Sequence, residues 1–146
     1  MRIVGEWRVG DGDVTRPVVE LEVQAAAGRM EHELFLVDPG ADRTVFSASL
    51  LARLGVPTVP APTGLALEGI GGRPEFSMVE TIVRVPDDDG GGARFRGEFA
   101  AFTDLAASEI SILGREILNH FDVILSHRRN EVLLLTKEHT YRVVTT

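Results

Sequence analysis

Leu34-Phe35-Leu36-Val37-Asp38-Pro39-Gly40-Ala41-Asp42-Arg43-Thr44-Val45-Phe46 is the stretch that decides the fold. An apolar run of strand length ends in a carboxylate, and the glycine two residues later permits a tight turn. Such a pattern holds an acid at a fixed point, where a buried strand gives way to a loop that water can reach. A second stretch lies far downstream. Ile110-Ser111-Ile112-Leu113-Gly114-Arg115-Glu116-Ile117-Leu118 runs apolar into a Gly-Arg pair.

Outward from these stretches the hydrophobic period is mostly two. Arg2 to Val9 alternates loosely and is expected as one strand, and Val18 to Val23 alternates clearly, with a turn at Asp11-Gly12-Asp13 between them. Glu33 to Val37 is a short strand leading into Asp38. Phe46 to Gly55 is expected as one short helix, capped by Ser47 and ended by Gly55, and Pro57, Pro60 and Pro62 forbid its continuation. Leu65 to Glu68 and Phe76 to Val85 flank Gly69-Ile70-Gly71-Gly72, which predicts a long hairpin with a glycine-rich tip. Asp87-Asp88-Asp89-Gly90-Gly91-Gly92 is a loop, and Ala93 to Phe102 a strand. A short helix from Arg115 to Asn119 follows, then a hairpin of Asp122 to Leu125 with Glu131 to Leu135, and a last strand from Tyr141 to Val144. Many short strands with two short helices predict a mainly-β, barrel-like domain. No internal repeat or linker divides residues 1–146, so one domain is expected.

Together the two motifs and the glycine-tipped hairpin make the chain resemble the retroviral-type aspartic proteases, the retropepsins. The resemblance runs from about Ile3 to Val144. In that family the first motif usually reads Asp-Thr-Gly-Ala or Asp-Ser-Gly-Ala, and here Pro39 takes the second place. The resemblance implies a closed β-barrel with a flap hairpin and a single catalytic Asp per subunit, Asp38. The active unit would then be a symmetric homodimer hydrolysing an extended peptide or protein substrate, with no metal and no cofactor. Gly40, Ala41 and Asp42 of the loop, and Ile70 and Gly71 of the flap, would contact substrate. Pro39, Gly114 and Arg115 would form the scaffold of the loop, Arg115 pairing with Asp42. The Thr or Ser of the family bonds across the dimer axis through its hydroxyl, and Pro39 brings neither a hydroxyl nor an N–H. A rival reading therefore stands beside the endopeptidase: a catalytically weak or inactive module of the same fold that binds peptides or dimerises.

Composition narrows the alternatives. The chain has 146 residues, 44% of them hydrophobic, enough for one globular core. No apolar run reaches 18 residues, and the first residues lack the apolar core of a signal peptide, so no membrane contact and a cytoplasmic location are expected. The absence of cysteine excludes disulfides, thiolate catalysis and Cys-ligated zinc. A net charge of −7 argues against nucleic-acid binding, and Trp7 and Tyr141 are too few for a base-stacking platform. The basic cluster His127-Arg128-Arg129 sits between apolar runs and is expected as a solvated turn. His32, His120, His127 and His139 show no metal-ligand spacing. Asp87-Asp88-Asp89-Gly90 lacks the alternate-position acids and closing Glu of a calcium loop and is expected as a mobile, solvated one. Ser47 and Ser49 lack the setting of a hydrolase nucleophile.

Overall fold

The structure is a computed structural model that describes residues 2–67, 75–104 and 110–136. Its strands are β1 (Arg2–Val4), β2 (Glu6–Val9), β3 (Thr15–Gln24), β4 (Met30–Val37), β5 (Val45–Phe46), β6 (Thr58–Pro60), β7 (Phe76–Pro86), β8 (Gly92–Phe102), β9 (Ser111–Leu113), β10 (Asp122–Ser126) and β11 (Glu131–Leu135). Helix α1 covers Ala48–Leu54 and α2 covers Arg115–Leu118. The protein is mainly β, as the alternation predicts, and no helix among the described residues is long and apolar enough to cross a membrane.

Eight strands form one sheet in the order β2-β3-β4-β9-β5-β8-β7-β6, and a further pairing of β3 with β7 joins its two wings. That pairing makes a ring of β3, β4, β9, β5, β8 and β7, consistent with the expected barrel. The closing seam is short: Glu22 opposite Arg84 and Val23 opposite Val83. Thr81 extends it by donating from its hydroxyl to the Gln24 carbonyl (2.6 Å). A separate three-stranded sheet has the order β1-β11-β10.

The segment from Arg2 to Val9 is two strands rather than one. β1 pairs with β11 and β2 pairs with β3, so the chain changes sheets at Gly5. A Cβ there would lie 2.3 Å from the Val18 carbonyl oxygen and 2.9 Å from a Val132 methyl, so only glycine fits the crossing. Pro57 and Pro60, expected only to stop the helix, border a short edge strand, β6. Pro57 precedes it and Pro60 is its last residue, where proline is tolerated because one side needs no donor. Residues 65–67 form no strand, and Glu68 lies outside the described residues. So do the hairpin tip Gly69-Ile70-Gly71-Gly72 and the strand expected from Tyr141 to Val144.

Helix α1 starts one residue beyond Ser47, whose hydroxyl accepts from the Leu50 N–H (3.1 Å), and ends at Gly55 in the left-handed region (φ 62°). Its Leu50 and Leu54 are fully buried beneath the ring. Phe35, Phe46 and Phe99 pack through the main core, the first pair edge-to-face at a centroid distance of 6.1 Å and the second tilted at 5.5 Å. A second, smaller cluster of Val45, Ala48, Met78, Ala100 and Phe102 packs against Leu65, Leu67, Phe76 and Ile112. It begins where the loop carrying Asp38 ends. Full burial of one such side chain stabilises by about 1.5–3 kcal/mol, so these clusters hold the loop's exit strand in place.

Candidate active site

β4 runs parallel to β9 with Phe35 opposite Ser111, Leu36 opposite Ile112 and Val37 opposite Leu113. The ladder continues one step further, because the Asp38 N–H donates to the Leu113 carbonyl (3.1 Å). Beyond that step the chain turns: the Ala41 N–H donates to the Asp38 carbonyl (3.1 Å). Asp38, Pro39, Gly40 and Ala41 are therefore the four residues of a β-turn. Asp at the first place and Pro at the second suit a type I turn, since proline pre-sets the required φ and the turn needs no N–H from that residue. Gly40 adopts no positive φ, in keeping with that type. The Asp38 Oδ1 accepts from the Gly40 N–H (3.0 Å), which fixes the carboxylate's rotation. Its other oxygen has no partner among the described residues.

The Gly-Arg segment passes under this turn. A Cβ on Gly114 would lie 2.3 Å from the carbonyl oxygen and 2.9 Å from the nitrogen of Arg43, so glycine is required by backbone-on-backbone contact. Four bonds stitch the crossing. The Arg115 N–H donates to the Ala41 carbonyl (2.8 Å), the Glu116 N–H to the Asp42 carbonyl (3.3 Å), the Gly114 N–H to the Thr44 hydroxyl (3.1 Å), and the Thr44 N–H to Glu116 Oε1 (2.7 Å). The Arg115 guanidinium donates to the Asp42 carboxylate and to the Pro39 carbonyl (3.0 Å). The Asp42 side chain remains 82% exposed, so the pair sits at the surface and orients the loop more than it stabilises the molecule.

Glu116 is half-buried, and that burial pushes its carboxyl above the usual value. The Thr44 N–H and the Arg43 charge oppose the shift without reversing it. Deeper still, Glu33 ties three elements together. Its Oε2 accepts from the buried hydroxyls of Ser47 (2.9 Å) and Ser111 (3.0 Å), and its Oε1 pairs with Arg53 (2.9 Å). β4, β9 and the start of α1 thus share one carboxylate, and Ser47 is a helix cap rather than a nucleophile.

The structure brings together Asp38, Pro39, Gly40, Ala41, Asp42, Gly114 and Arg115. Ile70 and Gly71 lie outside the described residues. Sequence reasoning missed Thr44 and Glu116. The available signals were a polar residue between the loop and an apolar strand, and an acid directly after Gly-Arg in the first helical turn. The 127–130 segment is an exposed turn, as expected. The Asp87 loop is a hairpin turn in which Asp87 Oδ1 accepts from the Asp89 and Gly91 N–H groups (2.9 and 2.8 Å), while Arg2 pairs with Asp88 (2.9 Å).

Residues 12–117 match the model of the family described as aspartyl protease. No match is found among curated proteins. Among solved structures, the EIAV protease complexed with the inhibitor HBY-793 is 22% identical, with 76% of this chain and 92% of that chain covered at a TM-score of 0.52. A retropepsin-like aspartic protease from Rickettsia conorii is 15% identical, covering 92% of this chain and 90% of that chain at a TM-score of 0.60. At these identities the two structures speak for the fold.

Proposed function

The chain belongs to the aspartyl protease family, and from that premise we propose that it is an endopeptidase acting as a symmetric homodimer, with Asp38 of each subunit meeting across the two-fold axis. The observation that carries the reading is the Asp38 carboxylate itself: one oxygen is fixed by the Gly40 N–H, and the other is left without a partner at the mouth of a stitched turn. Two such carboxylates about 3 Å apart cannot both ionise, so the pair holds one proton, the known behaviour of aspartic protease dyads. The ionised oxygen takes a proton from water. That water attacks the peptide carbonyl, and the protonated partner donates to the carbonyl oxygen. The dyad titrates as a unit, with two apparent constants that belong to the pair. Substrate lies extended along the loops, offering its backbone as an added strand, and Gly40, Ala41, Asp42, Ile70 and Gly71 are the residues assigned to contact it. Arg115 and Gly114 orient the loop without touching the reacting atoms.

Pro39 favours the rival, a weakly active or inactive module, because it brings no hydroxyl to the dimer axis. Its fit to the second place of the turn supports the peptidase, because the loop that holds Asp38 is well formed without that hydroxyl. Asp38→Asn decides between them. Loss of peptide hydrolysis at unchanged melting temperature is expected, and cleavage by the purified variant at the wild-type rate would overturn the assignment.

A further inference from the structure

Arg43 stands apart from the other polar side chains between Asp38 and Thr44. Asp38 is held by Gly40, Asp42 by Arg115, and Thr44 by Gly114. The Arg43 side chain makes no hydrogen bond and no ion pair among the described residues. The acid whose charge it senses, Glu116, is already committed to the Thr44 N–H. Its backbone is pinned on Gly114, so the base of the side chain is fixed while the guanidinium is left half-exposed, sensing the Glu116 charge but bonded to no side chain among the described residues. Arg43 lies five residues along the chain from Asp38. That length spans at most about 17 Å, and an extended substrate rises about 3.3 Å per residue, so Arg43 lies within about five substrate residues of any bond cleaved at Asp38.

We infer that Arg43 is a specificity-determining residue that selects substrates bearing an acidic side chain near the cleaved bond. A free guanidinium matches a carboxylate with paired, charge-assisted hydrogen bonds, and it repels Lys or Arg at the same place. The chain as a whole carries a net charge of −7, so an uncommitted cation beside the loop runs against its overall sign. In a symmetric dimer two copies act, one on each side of the bond. The inference rests on the peptidase reading and names the substrate class for that site.

The test uses otherwise identical peptides carrying Glu, Gln or Lys at each position in turn on either side of the cleaved bond. For the wild type, kcat/KM for Glu over Lys is expected to be about tenfold or more at one position on at least one side, and to shrink as salt rises. Arg43→Glu should reverse that ratio, and Arg43→Lys should keep its sign. Each ratio compares peptides on one protein sample, so a partly folded variant does not distort it. The same ratio in wild type and Arg43→Glu at every position would overturn the inference while leaving the peptidase intact. If the wild type cleaves no peptide, the peptidase reading fails. Affinities of the same peptides measured by fluorescence anisotropy then take the place of the rates. Equal affinity for Glu and Lys peptides in both proteins would overturn the role of Arg43, and a Glu preference reversed in Arg43→Glu would uphold it.

Discussion

Glu116 shows how one half-buried carboxylate can make stability depend on pH from outside the loop it supports. Burial raises its folded-state proton affinity above that of an ordinary glutamate. The folded protein then binds the proton more tightly than the unfolded chain does, so this group's contribution is fully present below about pH 4.5 and is lost as pH rises through the raised folded value. Glu116→Gln keeps an oxygen for the Thr44 N–H and removes the charge. The variant should gain in melting temperature relative to wild type between about pH 4 and pH 7. A difference that stays constant over that range would remove burial as the cause. At the same scale, Asp38 and its turn were legible in the sequence, because Asp-Pro-Gly is turn chemistry wherever it falls. Glu116 was not. Its meaning depends on a backbone N–H 72 residues away in the chain, which no local pattern encodes.

At the scale of elements, the crossing of the Gly-Arg segment under the loop separates two effects that the sequence could not rank. Gly114→Ala would press a methyl into the Arg43 backbone, where neither partner can yield cheaply. A loss of at least about 2–3 kcal/mol is expected, a fall of roughly 5–10 °C in melting temperature. Arg115→Ala breaks a pair whose side chains are 44% and 82% exposed, so it should cost under about 1 kcal/mol. Thermal melts of the two variants side by side check the order, and an Arg115→Ala loss equal to that of Gly114→Ala would mean the pair is far less screened than its exposure says. Most elements were readable from alternation, caps and turn residues: α1 between Ser47 and Gly55, the strands β7 and β8 though not their pairing, and the β10–β11 hairpin. The break at Gly5 was not, because both halves of that segment carry strand-like residues and only the distant Val18 and Val132 demand the change of sheet. β6 was hidden by its own prolines, which read as breakers until an edge position excuses them.

At the scale of the whole molecule, the proposed dimer makes activity depend on concentration. Specific activity should rise with protein concentration across the dissociation constant. Pro39→Thr should move that constant down by about tenfold, with the recovered hydroxyl bonds of roughly 0.5–1.5 kcal/mol each offset in part by the lost pre-ordering of about 0.4–1 kcal/mol per chain. Sedimentation over a concentration series, run alongside the activity assay, measures both, and equal or weaker association of the variant would mean that the loops meet in some other way. The three-stranded sheet carries a different consequence, one of timing. β1 is made before every other described strand, yet its partner β11 begins at Glu131. As the polypeptide leaves the ribosome, Ile3 has no strand to pair with until nearly all of the described chain has been synthesised. Joining ends so far apart is entropically expensive until other contacts have gathered them. The ring can assemble first, and the leading strand docks last, with Gly5 as the pivot on which it swings into place. A nascent chain halted before Glu131 would therefore hold its barrel strands while Ile3 and Val4, tethered through the bonds of Arg2 to Asp88, stayed without a partner strand, and in the finished protein β1 is guarded by the last of the described strands.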